Sequence, residues 1–146
     1  MIEKSGGQKF LLDGAHNVAG AETLRATLEK DFAGLRPVFI FGALADKNWP
    51  DICRVLAPFA AKIITVPVAS KRTAAAEELA SGFRNFNPNL SVCAKAGLAE
   101  AINASKDEPF VVITGSLYLV GEALELLGLS PAGAGERGLN EWSARR

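Results

Sequence analysis

The sequence predicts an α/β fold: a mostly parallel sheet of five to six strands with helices on both faces. Three observations predict it. Short apolar runs alternate with amphipathic segments five times along the chain. Most runs are continuously apolar, as in strands covered on both faces. The intervening segments are about 10–15 residues long, the length of a crossover helix. Together they describe a three-layer, Rossmann-like sandwich. Right-handed crossovers leave few topologies for it.

Each element has its own signal. "KFLLD" (9–13) is a short apolar run that ends in a polar residue. Over 17–33, Ala21, Leu24, Leu28 and Phe32 recur at helical spacing, with Glu22, Arg25 and Glu29 on the other face. "PVFIFGAL" (37–44) is a buried strand closed by glycine. A helix over 48–59 carries Pro50 in its first turn. "KIITVPV" (62–68) is the third strand, and 73–86 a helix capped by Thr73. "LSVCA" (90–94) and "PFVVITGS" (109–116) are the fourth and fifth strands, with a helix over 97–106 between them. The last helix spans 116–128, closed by Gly128. Residues 1–129 make one domain. The stretch 130–146 is small, polar and charged, and reads as a mobile tail.

Composition excludes several classes of function. Sixteen basic residues balance sixteen acidic ones, so no electrostatic footprint for nucleic acid or an anionic membrane is present. No apolar run reaches the ~18 residues of a membrane span. The opening "MIEKSGGQKF" is too polar for a signal peptide. Cys53 and Cys93 belong to no CxxC pair and lie among apolar neighbours, so both read as reduced, buried thiols of a cytoplasmic protein.

In parallel α/β sheets, ligands bind beyond the carboxyl ends of the strands. Four polar clusters fall there. In "DGAHN", Asp13 can accept from sugar hydroxyls, and His16, the one histidine, can donate to an anion or move a proton near neutral pH. Asn17 suits the N-cap of the helix that follows. In "GALADKN" (42–48), Asp46 and Lys47 share a loop, and the ammonium can reach a phosphate or carboxylate. In "ASKRT" (69–73), Lys71 and Arg72 are a basic pair. In "VITGS", Thr114, Gly115 and Ser116 form a strand-to-helix turn, where free N–H groups attract anions. Each cluster also has a bland explanation as caps, turns or solvated charge. No G-x-x-x-x-G-K-[ST] loop, G-x-G-x-x-G, zinc-ligand cluster or G-x-S-x-G elbow is present. The chain offers anion-binding strand ends without a phosphate cradle, which is half of an active site.

Three motifs in order carry a family resemblance: "LLDGAHNVAGAETL", "FGALADKNWPDI" and "VVITGSLYLVGEAL". The chain resembles the C-terminal domain of the folylpolyglutamate synthase/dihydrofolate synthase family, in the ATP-dependent Mur ligase superfamily, from about Lys9 to Gly128. The resemblance implies amide formation between a folate or pteroate carboxyl and L-glutamate through an acyl phosphate. It implies ATP and Mg2+, often with K+, bound mainly by a larger N-terminal P-loop domain outside this chain. That domain, folate, L-glutamate and ATP are then the partners. By the same resemblance His16 is catalytic, near the terminal phosphates and the incoming glutamate. Asp13 and Asn17 lie on the nucleotide side. Ser116 binds glutamate, with Lys47, Asp46 and Arg72 on the glutamate or phosphate side. No metal ligand is assigned to this chain. Val18 stands where the family often has proline, and the 71–72 pair matches no family pattern. The chain therefore reads as an excised domain, inactive alone. A cell-wall Mur ligase domain and a non-catalytic anion-binding module remain the alternatives.

Overall fold

The computed structural model describes residues 1–4 and 6–128. The tail assigned to 130–146 lies outside the described residues. The order of elements is β1 (Ile2–Glu3), β2 (Lys9–Asp13), α1 (Val18–Asp31), β3 (Val38–Phe41), α2 (Trp49–Leu56), β4 (Lys62–Thr65), α3 (Ala76–Phe86), β5 (Val92–Ala94), α4 (Leu98–Ala104), β6 (Phe110–Thr114) and α5 (Leu117–Leu126). Six strands form one sheet in the order β1-β2-β6-β3-β4-β5. All neighbours are parallel except β1, which pairs antiparallel with β2.

Helices cover both faces. Ala21, Leu24 and Leu28 of α1, Ile52, Cys53, Val55 and Leu56 of α2, and Leu79 and Phe83 of α3 pack on Phe39, Phe41, Ile63 and Val112. Leu98 and Ala101 of α4 and Leu119 and Ala123 of α5 pack on Phe10, Leu12, Ile40, Ile64, Val111 and Ile113. Strand β3 is buried along its whole length, because alternate side chains enter the two cores. Two ring pairs sit in the first core: Phe41 meets Phe83 edge-on at 5.3 Å, and Phe32 stacks on Phe110 at 4.9 Å.

The differences from the sequence expectation have local causes. β1 is two residues long, too short for a periodic signal. Its turn into β2 passes through Gly6 and Gly7, both at positive φ, and Lys4 N–H donates to the Gln8 carbonyl at 2.8 Å. The predicted helix over 48–59 is α-helical only to Leu56. Pro58 has no N–H to donate, and residues 57–59 tighten into a 3-10 turn. The helix predicted from Thr73 begins at Ala76 instead. Thr73 pairs with Leu44 in an isolated antiparallel bridge, and its Oγ1 accepts from the Val68 N–H at 2.8 Å, so it caps no helix. Strands β3 and β4 end a few residues sooner than their apolar runs do, because the runs continue into buried loops (Ala43, Leu44, Val66 and Val68). Cys53 is buried as expected, whereas Cys93 is half-buried on β5; both are free thiols.

The strand order puts β6, the last strand, between β2 and β3. Its exit turn crosses the end of β3. Gly115 has φ +112°, and a Cβ there would overlap the Gly42 carbonyl oxygen and press the Phe41 ring. Both the backbone conformation and the space demand glycine. Gly115→Ala should therefore destabilise the domain by about 3 kcal/mol or more in chemical denaturation. Gly121→Ala is the matched control: Gly121 lies inside α5 with open space around it. That change should be neutral or stabilise by up to about 1 kcal/mol.

Candidate functional site at the carboxyl rim

The carboxyl ends of β2, β3 and β6 open onto one cleft of about 120 Å³. His16, Leu44, Lys47, Gly115, Ser116, Leu117 and Tyr118 line it. They come from three loops that are far apart in sequence. No carboxylate is among them, and Lys47 is the one formally charged side chain in the lining.

His16 sits between the end of β2 and the cap of α1. Its Nδ1 lies 3.0 Å from the Gly14 carbonyl oxygen. A carbonyl can only accept, so the proton is on Nδ1 and the neutral ring carries its lone pair on Nε2. Nε2 is thus available to take a proton, and to donate once protonated. Ser116 is the N-cap of α5: its extended backbone lets Oγ accept from the Tyr118 N–H at 3.1 Å. Ser116 as a residue is 3 % exposed, and its hydroxyl keeps its own proton to donate. The amino end of α5 adds its unpaired N–H groups and the positive end of its dipole. Lys47 is held by a turn in which its N–H donates to the Leu44 carbonyl at 3.2 Å.

Asp13 and Asn17 flank the cleft but do not line it. Asp13 Oδ1 accepts from the Ala15 N–H at 2.9 Å, which bends the chain out of β2. Asn17 Oδ1 accepts from the Gly20 N–H at 2.7 Å and caps α1. Asp46 and Arg72 face each other rather than the cleft, joined by an exposed ion pair. The hydrogen bond from Arg72 is the main reason the Asp46 carboxyl stays below its usual range, with desolvation opposing it. This contribution is present at neutral pH and is lost as the pH falls through that lowered value. Two backbone hydrogen bonds stitch the same loops together: Ala45 N–H to the Arg72 carbonyl at 2.7 Å and Ala74 N–H to the Ala43 carbonyl at 2.8 Å. The pair therefore clasps the loop that presents Lys47. Lys71 is exposed and outside the cleft.

Sequence reasoning missed Leu117 and Tyr118 as cleft residues. The signal was present. Both fall off the Leu119/Ala123 stripe that packs α5 on the sheet, yet they are large and apolar, 65 % and 53 % exposed. Among the described residues, no group of three or more His, Cys, Asp or Glu could hold a metal ion, and no helix is long and apolar enough to cross a membrane.

A family model described as Mur ligase, glutamate ligase domain, matches residues 1–117. The chain belongs to that family. Relatives of this glutamate ligase domain point to one branch. Dihydrofolate synthase/folylpolyglutamate synthase of Bacillus subtilis is 30% identical over 111 residues, 76% of this chain and 26% of the relative. A folylpolyglutamate synthase structure from Thermotoga maritima is 36% identical with a TM-score of 0.76, over 87% of this chain and 29% of that one. Mycobacterium tuberculosis folylpolyglutamate synthase, complexed with ADP and AMPPCP, is 30% identical with a TM-score of 0.73, over 82% of this chain and 29% of that one. The chain thus spans a quarter to a third of the length of these relatives.

The two thiols provide a check on the packing. Burial pushes the Cys53 thiol far up, while Cys93 sits half-exposed at the sheet edge. With an aromatic disulfide reagent at pH 8, the native domain should titrate one thiol, Cys93. The second should appear only on unfolding. Two rapid equivalents from the native protein would contradict the burial of Cys53.

Proposed function

We propose that this domain is the closing half of an ATP-dependent ligase that adds L-glutamate to dihydropteroate or a (tetrahydro)folate. The observation that carries the reading is the carboxylate-free cleft where His16, Lys47 and Ser116 converge. The family and its folate-branch relatives support it.

In this reading a second, P-loop domain supplies the nucleotide-phosphate cradle that this chain lacks. ATP phosphorylates the folate or pteroate carboxylate, and the glutamate amine attacks the acyl phosphate. The C–N bond forms, the C–O bond to phosphate breaks, and phosphate leaves with the electron pair. The amine must shed a proton. His16 Nε2, its lone pair fixed by the Nδ1–H to Gly14 hydrogen bond, takes it or steadies the leaving phosphate once protonated. Lys47 and the Ser116 hydroxyl, with the amino end of α5, grip the carboxylates of glutamate or the transferring phosphate. Asp13 meets the ATP ribose, and Asn17 holds the adjoining helix end. Asp46 and Arg72 act one step removed, by holding the Lys47 loop. Mg2+, and K+ where used, would neutralise phosphate charge; no described residue of this chain is assigned to either ion. Such chemistry rests on positioning by groups from both domains, so the chain alone should turn over nothing. The reading implies a cytoplasmic enzyme.

A coupled ADP-release assay tests this, offering the full-length ligase dihydropteroate, tetrahydrofolate and L-glutamate. His16→Ala should lower kcat by roughly 100-fold or more, with the melting temperature nearly unchanged. Unchanged turnover would remove His16 from the chemistry. The 146-residue chain by itself should release no ADP. Turnover on muramyl peptides instead would assign the domain to a cell-wall ligase. Nucleotide binding without turnover in any full-length context would make it a binding module.

A further inference from the structure

Among the described residues two buried side-chain atoms lack a hydrogen-bond partner, Thr114 Oγ1 and Glu122 Oε1, and of these two residues only Thr114 is buried as a whole. Thr114, the last residue of β6, is fully buried, and its Oγ1 has no hydrogen-bond partner. Folded proteins rarely keep such a group, because an unpaired buried hydroxyl costs stability. Thr65, the equivalent end residue of β4, is also fully buried, but its Oγ1 donates to the Ala76 carbonyl at 2.7 Å. The contrast singles out Thr114.

The sheet register shows what Thr114 can reach. Its Cα partners are Asp13 on β2 and Phe41 on β3. In-register parallel neighbours project to the same face, and adjacent strands lie about 4.8 Å apart. Phe41 offers no acceptor, so Asp13 is the one polar side chain beside Thr114 in that row. The Asp13 carboxylate spends Oδ1 on the Ala15 N–H, and no hydrogen bond joins it to Thr114.

We propose that Thr114 is a positioning residue whose hydroxyl donates to the Asp13 carboxylate when that carboxylate binds a nucleotide. The free domain then bears the unpaired hydroxyl, and the bound domain satisfies it. Oδ1 keeps its loop contact, and Oδ2, steadied by Thr114, is presented to a ligand hydroxyl. The inference rests on the nucleotide reading above for the ligand, and on burial and register for the residue.

The test uses the 146-residue chain with ADP as the probe, titrated by NMR and followed by thermal melts. Thr114→Val keeps the shape and removes the hydroxyl. It should melt at or above the wild-type temperature and bind ADP roughly tenfold more weakly, the loss of one charge-assisted hydrogen bond. Thr114→Ser should restore the affinity. In an Asp13→Ala background, Thr114→Val should make no further difference, because the hydroxyl acts through that carboxylate. A less stable Thr114→Val would show a structural partner and overturn the proposal. So would wild-type affinity in Thr114→Val, failure of Ser to restore binding, or additive losses with Asp13→Ala. Absence of ADP binding by the wild-type chain would overturn the nucleotide reading, and this inference with it.

Discussion

The carboxyl rim depends on one close approach, the β6–α5 turn resting on the end of β3. At Gly115 the backbone takes a positive φ and passes against the Gly42 carbonyl. Gly42 is crowded in its own right, since a Cβ there would lie 2.9 Å from the Val66 carbonyl oxygen. Side chains at these positions would hold the three strand exits apart. Without them, loops following β2, β3 and β6 share a cleft of about 120 Å³. Ser116 leaves the turn directly, so its hydroxyl is set by the same contact. The rigid element is the sheet, and the functional groups stand within a few residues of it.

The electrostatics of the cleft follow from what is turned away as much as from what faces in. Asp46 precedes Lys47 in the chain and would cancel much of its field if it shared the cleft. Arg72, on the neighbouring loop, draws that carboxylate outward. The ion pair is exposed, so its direct contribution to stability is screened and small. Its consequence is directional: a cation, a helix amino end and a hydroxyl remain on one side, with no opposing charge in the lining.

Much of this was legible in the sequence, for identifiable reasons. Continuous apolar runs and helical stripes identified each parallel strand and helix, because burial on two faces leaves no alternation. His16, Lys47 and Ser116 were legible because polar residues directly after apolar runs fall at strand ends. The mutual pairing of Asp46 and Arg72 was not. It requires the 42–48 and 66–75 loops to cross, and that depends on β3 and β4 being neighbours. The insertion of β6 between β2 and β3 was equally hidden, since chain order and sheet order differ there. With that insertion the demand for glycine at 115 becomes a packing requirement rather than a turn preference. β1 escaped notice because two residues carry no period. Leu117 and Tyr118 were obscured by the rule that apolar residues on a helix face inward.

Those two side chains bear on how half a site can work. Anionic substrates are held in water by strong hydration, and a few rim donors compete with it poorly. Leu117 and Tyr118 present apolar surface at the mouth of the cleft, beside the groups that would grip the anion. In the proposed ligase, apposition of a second domain covers that surface and expels water from the phosphate and amine together. The same donors then act in a lower dielectric, where each is worth more. On this reading the exposed domain binds such anions more weakly than the closed ligase does. Its groups are nevertheless already positioned, so closure need order few additional side chains.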